Sequence, residues 1–227
     1  MNYNINLTRI KAVYNALGIL KDDVVFVGGA VVSLYAEQPT IESRPTDDVD
    51  VIIEILNYRS RTKLEEQLRG MGFVQDVDSG IVCRYKIDGI IVDVMPTEDD
   101  TIGFSTKWYS EGYKEAVQFR IDNQLAVKIL TAPYFIATKL EAFRDRGKGD
   151  GRTSKDFEDI VYVLENRESI WNEMNTAPKD VRSYLKNEFG KLSANKNIHE
   201  WIDGHVERGS NTITDFLIDE MRKFLQF

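Results

Sequence analysis

One cysteine, Cys83, is all the chain has, so it forms no internal disulfide and no cysteine-built zinc site. Histidine is nearly as scarce: His199 and His205 lie beside Glu200 without the His-Glu-x-x-His spacing of a zinc enzyme. No apolar run approaches the roughly 18 residues of a membrane span. Met1-Asn2-Tyr3-Asn4 carries no basic segment followed by an apolar core, which predicts a cytoplasmic protein with no signal peptide and no membrane partner. Positive charge is not in excess either. A net charge of −8 argues against wholesale coating of nucleic acid, which draws on many phosphate contacts from Lys and Arg. Gly-x-Ser-x-Gly, the Walker lysine loop and Gly-x-Gly-x-x-Gly are absent too, which leaves those hydrolase and nucleotide-loop chemistries without support.

What remains is ample for a core: 227 residues, 42% of them apolar, fit one large domain or two small ones. A helix is expected over 5–17, a buried strand over 23–28, and a short helix over 30–36 that starts at a double glycine. A loop holding Pro39 and Pro45 follows, then a strand over 48–55 and a polar helix over 60–69. Ile81–Ile87 and Ile90–Met95 flank Asp88-Gly89, a strong signal for a two-residue hairpin turn. Further strands are expected at 115–121 and 125–130. From Ala132 the pattern becomes helical, with Pro133 in a first turn and Ile136, Leu140 and Phe143 on one face. Phe157, Ile160, Val161 and Leu164 predict a second amphipathic helix, and Ile213, Phe216, Leu217, Met221, Phe224 and Leu225 a last one. The fold class is therefore α+β: an α/β half with a mixed sheet over 1–130, followed by a helical half over 131–227. A cleft between the halves is the expected place for a substrate.

The chemistry concentrates in carboxylates. Asp48 and Asp50 sit one residue apart at the start of a strand, so alternation places both on one face, about 7 Å apart along the chain. Asp93 interrupts an apolar strand, where a lone acid is costly without a partner. If the two strands are neighbours, three carboxylates meet, and a divalent ion is the usual answer to such repulsion. Hard oxygen ligands favour Mg²⁺ or Mn²⁺ over zinc. Gly28 and Gly29, after Val24-Val25-Phe26-Val27, would let backbone approach phosphates at a helix start, with Ser33 as a further phosphate contact or a solvent-facing residue. Each acid also has a plain structural reading, as a turn residue or a strand-end acid paired with a lysine.

These segments carry a resemblance. Val27-Gly28-Gly29-Ala30-Val31, Thr46-Asp47-Asp48-Val49-Asp50-Val51 and Val92-Asp93-Val94 resemble the core motifs of the DNA polymerase β-like nucleotidyltransferase superfamily, closest to the AbiEii/AbiGii-type toxin nucleotidyltransferases. Lys139-Leu140-Glu141-Ala142-Phe143-Arg144-Asp145-Arg146 and Ser154-Lys155-Asp156-Phe157-Glu158-Asp159-Ile160 resemble that branch's helical signature. The resemblance spans about 24–164 and implies a nucleotidyltransferase fold and metal-dependent transfer of a nucleoside monophosphate from an NTP. It implies Asp48, Asp50 and Asp93 as catalytic metal ligands for Mg²⁺ or Mn²⁺, and Gly28 and Gly29 as the triphosphate turn. Lys139 would bind triphosphate and Asp156 would be an active-site acid. The inserted Gly147-Lys148-Gly149-Asp150-Gly151-Arg152 reads as a flexible departure from the pattern.

Plain alternatives stand beside these roles. Thr153-Ser154-Lys155-Asp156 also reads as a helix N-cap with an acid in its first turn. Asp159 would pair with Arg146 or Lys155 on the surface, and Lys139 would pack its stem while its head reaches solvent. The expected acceptor is tRNA or another RNA, met by the basic run of Arg144, Arg146, Lys148, Arg152 and Lys155, with a cognate antitoxin as protein partner. That run also reads as a solvated loop. Phe104, Trp108, Tyr109 and Tyr113 would stack on a base or simply pack. Two competing functions remain: an antibiotic nucleotidyltransferase acting on an aminoglycoside or lincosamide hydroxyl, and a nucleotide-binding module without turnover.

Overall fold

Val24–Val27 forms β1, all four residues buried, as befits a strand with neighbours on both sides and cover on both faces. This is a computed structural model, describing residues 2–37, 42–55, 58–98, 105–147, 149–206 and 211–226. By contact the chain divides into two compact units, residues 1–31 with 44–131, and residues 32–43 with 132–227.

The first unit is built on a mixed seven-stranded sheet. Its strands are β1, β2 (Asp48–Ile53), β3 (Val74–Gln75), β4 (Arg84–Ile87), β5 (Ile90–Pro96), β6 (Val117–Arg120) and β7 (Ala126–Ile129), in the order β3-β4-β5-β2-β1-β7-β6. β2 runs antiparallel to β1 and parallel to β5, and this places Asp50 directly beside Asp93. The hairpin turn at Asp88 and Gly89, both with positive φ (48° and 77°), fixes the β4–β5 register and sets Arg84 opposite Asp93. Helix α1 (Asn2–Ala16) lies against β2 and β5 and buries Ile10 and Val13 completely. α2 (Tyr58–Gly70) covers its apolar side with Leu64 and Leu68, and α3 (Tyr109–Lys114) is short.

The sequence pattern shows neither α3 nor the two-residue β3, both too short for a periodic signal. The helix expected over 30–36 is a 3₁₀ helix, Gly29–Tyr35. Every residue from Ala30 to Tyr35 is buried.

The second unit is helical, and α4 (Ala132–Arg146) packs against α5 (Lys155–Asn166), α6 (Ile170–Thr176) and α7 (Lys179–Ser193). α8 (Ile198–Asp203) and α9 (Asn211–Gln226) complete it. Phe143, Phe157 and Trp201 form one aromatic cluster with centroids 5.3–6.1 Å apart. Trp171, Phe189 and Phe224 form another. On α9 the buried stripe is Thr214, Leu217, Ile218, Met221 and Phe224, while Phe216 is 57% exposed. Residue 216 stands about 100° round the helix from 217, so its ring leaves the core face. The 147–152 turn, expected to be flexible, is pinned at its described residues. A side chain at Gly147 or Gly151 would strike Phe143 or Trp201, and the Gly151 carbonyl lies 2.7 Å from the His205 ring. Lys148, Pro39 and Phe104 lie outside the described residues.

Candidate active site

The approach to β2 is held by one buried polar side chain. Asn6, fully buried on α1, donates to the Arg44 carbonyl (3.1 Å) and accepts from the Thr46 backbone N–H (3.1 Å). Thr46 in turn donates its hydroxyl to the Asp48 carbonyl (3.0 Å), so the strand enters the sheet at a fixed height. From there β2 alternates. Asp48 and Asp50 stand half-exposed on one face, while Val49 and Val51 are buried on the other.

With β5 alongside, carboxylate oxygens of Asp48, Asp50 and Asp93 all lie within 4.8 Å of one another. Gly28 makes room for this. Its φ is +71°, and a Cβ there would stand 1.9 Å from an Asp50 carboxylate oxygen, so only glycine fits beside that acid. A Cβ at Gly29 would meet the Arg44 guanidinium at 2.5 Å and Thr46 at 2.7 Å. Both glycines therefore serve a close approach of backbone to side chains in this unit.

Arg84 is the residue that sequence reasoning missed. It grips Asp93 through one edge of its guanidinium, Nε to Oδ1 at 2.8 Å and Nη2 to Oδ2 at 2.7 Å, and Nη2 also lies 3.5 Å from Asp48. Its bonds to Asp93 contribute most and outweigh the burial penalty that comes next, and the Asp93, Asp48 and Asp50 charges add to them, so the guanidinium is held firmly in its charged form. Next to it, burial first and the Asp93 charge second push the Cys83 thiol up to about 11. That leaves Cys83 a buried, unreactive thiol.

As a donor set the triad suits a hard divalent cation: three carboxylates, converging oxygens, and no sulfur or imidazole among the described acid cluster. Asp48, Asp50 and Asp93 could together hold a metal ion.

The remaining candidates lie in the second unit. Ser33 is 5% exposed, so it does not face solvent, and its hydroxyl has no hydrogen-bond partner among the described residues. The Lys139 head does not reach solvent either. Its ammonium is buried 3.1 Å from Asp156 and 2.7 Å from Asp159, so Asp159 is an interior acid rather than a surface one. Asp156 also takes two bonds from Arg146, at 2.7 and 2.9 Å. Burial opposes its charge most strongly, but Arg146 and Lys139 together outweigh this and hold the carboxyl at about 2. Ser154 caps α5, accepting from the Phe157 N–H at 3.3 Å.

Three arginines of the basic run pair with acids of the same unit: Arg144 with Glu141, Arg146 with Asp156, and Arg152 with Asp150 and Glu200. Of the aromatic group, Trp108 is buried and Tyr113 donates to the Asp23 carbonyl at 2.7 Å. His199 faces Asp215 at 3.3 Å on the surface. Among the described residues no helix is long and apolar enough to cross a membrane.

No family model matches the chain, and no curated protein matches it. Among solved structures it is similar to the antibiotic-resistance factor ANT(2'')-Ia, at a TM-score of 0.47 and 13% sequence identity, over 82% of this chain and 96% of that one.

Proposed function

We propose that the protein is a metal-dependent nucleotidyltransferase that moves a nucleoside monophosphate from an NTP to an acceptor hydroxyl. The observation that carries this is the convergence of Asp48, Asp50 and Asp93 beside the glycine turn, the acid being seated where only Gly28 permits it. The motif resemblance over 24–164 supplies the reaction class. In that reaction the acceptor oxygen bonds to the α-phosphorus as the bond to the bridging oxygen breaks and pyrophosphate leaves. Bound Mg²⁺ or Mn²⁺ would supply charge neutralisation at the phosphates and a more acidic attacking hydroxyl. The chain's own part is to fix the three carboxylates, and to offer the turn at Gly28 and Gly29 to the triphosphate.

The reading takes 1–130 as the nucleotidyltransferase domain and 131–227 as the helical domain. Lys139 and Asp156 enter it as one ion pair. For Lys139 to bind triphosphate, its ammonium must leave two buried aspartates. The acceptor in this reading is tRNA or another RNA, and the biological role that of a cytoplasmic toxin or phage-defence enzyme with a cognate antitoxin. A second acceptor, the hydroxyl of a small cationic antibiotic, is favoured by one observation. Arg144, Arg146 and Arg152 each pair with a carboxylate, in a chain of net charge −8.

The test incubates the protein with Mg²⁺, labelled NTPs and total RNA, in parallel with a panel of aminoglycosides and lincosamides. Label is expected in one acceptor class with stoichiometric pyrophosphate, and Asp48→Ala is expected to lower the rate by about 10³-fold or more. Absence of both NTP binding and transfer would falsify the proposal, and binding without pyrophosphate release would make the protein a nucleotide-binding module.

A further inference from the structure

Arg84 stands where a metal-dependent acid cluster has least use for a fixed positive charge. Its guanidinium spans both oxygens of Asp93 and approaches Asp48, with the Arg84 and Asp93 side chains only 20% and 11% exposed. The contact is no accident of a long surface side chain. The two-residue turn at Asp88-Gly89 puts residues 84 and 93 directly opposite each other on β4 and β5. A guanidinium, unlike an ammonium, matches a carboxylate edge to edge and holds its plane.

We propose that Arg84 is the triad's built-in counter-cation, keeping Asp93 oriented in the metal-free protein and competing with the divalent ion for that carboxylate. The inference rests on the metal-binding reading of the triad and extends it to regulation. Without Arg84 three carboxylates would share a space of under 5 Å with less to separate them. With it, an incoming ion must displace or share the charge already on Asp93. Binding of metal alone is thereby weakened, and occupancy is tied to the arrival of the nucleotide, whose phosphates add ligands of their own and give a displaced guanidinium an anion to meet.

The experiment measures Mn²⁺ binding to the full chain by electron paramagnetic resonance, without nucleotide, alongside thermal melting with and without Mn²⁺. Arg84→Gln is expected to bind Mn²⁺ roughly tenfold more tightly than the wild type, the effect of deleting one nearby positive charge in a partly solvated site. It is also expected to melt lower in metal-free buffer and to regain most of the loss in Mn²⁺. A purely structural arginine would give the second change without the first. Arg84→Lys, which keeps the charge and loses the fork, should lie between, at about threefold tighter. Mn²⁺ affinity equal to or weaker than wild type in Arg84→Gln overturns the inference. The same result in Arg84→Lys overturns it should Arg84→Gln fail to fold. Wild-type binding that Asp48→Ala abolishes, with no gain in either Arg84 variant, removes the counter-cation and leaves the metal site standing. No Mn²⁺ bound by any of these proteins removes both.

Discussion

Two clusters of charge, one in each unit, are built from the same residue types and solve opposite problems. In the second unit Lys139 and Arg146 face Asp156 and Asp159, two cations against two anions, and the Lys139, Asp156 and Asp159 side chains are 6%, 5% and 1% exposed. In the first unit three carboxylates converge, the Arg84 guanidinium grips Asp93 and approaches Asp48, and the Asp48 side chain is 37% exposed. A balanced set, buried except for Arg146 at its exposed edge, satisfies itself and holds helices together. Three converging acids with an exposed side form the kind of set that a cation from outside could meet. The contrast separates residues that the family resemblance groups together, since Lys139 and Asp156 belong to the first kind of cluster and Asp48, Asp50 and Asp93 to the second.

The largest effect should come from unbalancing the closed cluster. Lys139→Met leaves two aspartates buried with one cation fewer, which costs about 3–5 kcal/mol. Removing one acid with it, as Lys139→Met/Asp159→Leu, keeps the Arg146–Asp156 pair and should recover most of that loss. Urea unfolding midpoints of the three proteins check this. A Lys139→Met loss below about 1 kcal/mol would mean that the ammonium is not committed to its aspartates, and that it is free to serve a phosphate.

How much of this arrangement was legible in the sequence differs between the clusters for a physical reason. Strand alternation places Asp48 and Asp50 on one face, and the wholly apolar surroundings of Asp93 mark it as an acid needing company. The partnership of Arg84 with Asp93 was legible too, though missed: a two-residue turn at 88–89 makes 87 face 90, and counting back makes 84 face 93. The closed cluster was not. Asp159 reads as a surface acid because its partner lies on another helix, 20 residues earlier, and helix periodicity carries no information about which helices meet. Phe216 fails for a milder reason, that an apolar residue one step off the buried stripe looks like part of it.

Acid should open the closed cluster by a smaller amount. Asp156 is held at about 2 in the folded chain against an ordinary value of 3.8. A depressed folded value means that the stability it contributes is complete above about pH 4. It is lost as pH falls from there through 2, for a total of roughly 2 kcal/mol. Urea midpoints taken between pH 5 and pH 2 should show this slope in the wild type, and Asp156→Asn should flatten it. An unchanged slope in that variant would place the acid-sensitive charge elsewhere.

The smallest effect is the one whose sign tells the clusters apart. In the closed cluster either acid changed to its amide takes from the buried Lys139 one of its two carboxylate partners and should destabilise. In the open cluster Asp48→Asn removes one of three crowded negative charges, while Asp93 keeps both of its bonds from Arg84. Metal-free Asp48→Asn should therefore be as stable as the wild type or more so, by up to about 1 kcal/mol given its exposure, even though the Asp48 carboxylate is central to the proposed reaction. Thermal melting in the presence of a chelator measures it directly. A melting temperature several degrees below wild type would show that Asp48 is held for the fold after all, and the distinction between a self-satisfied cluster and one awaiting a cation would be lost.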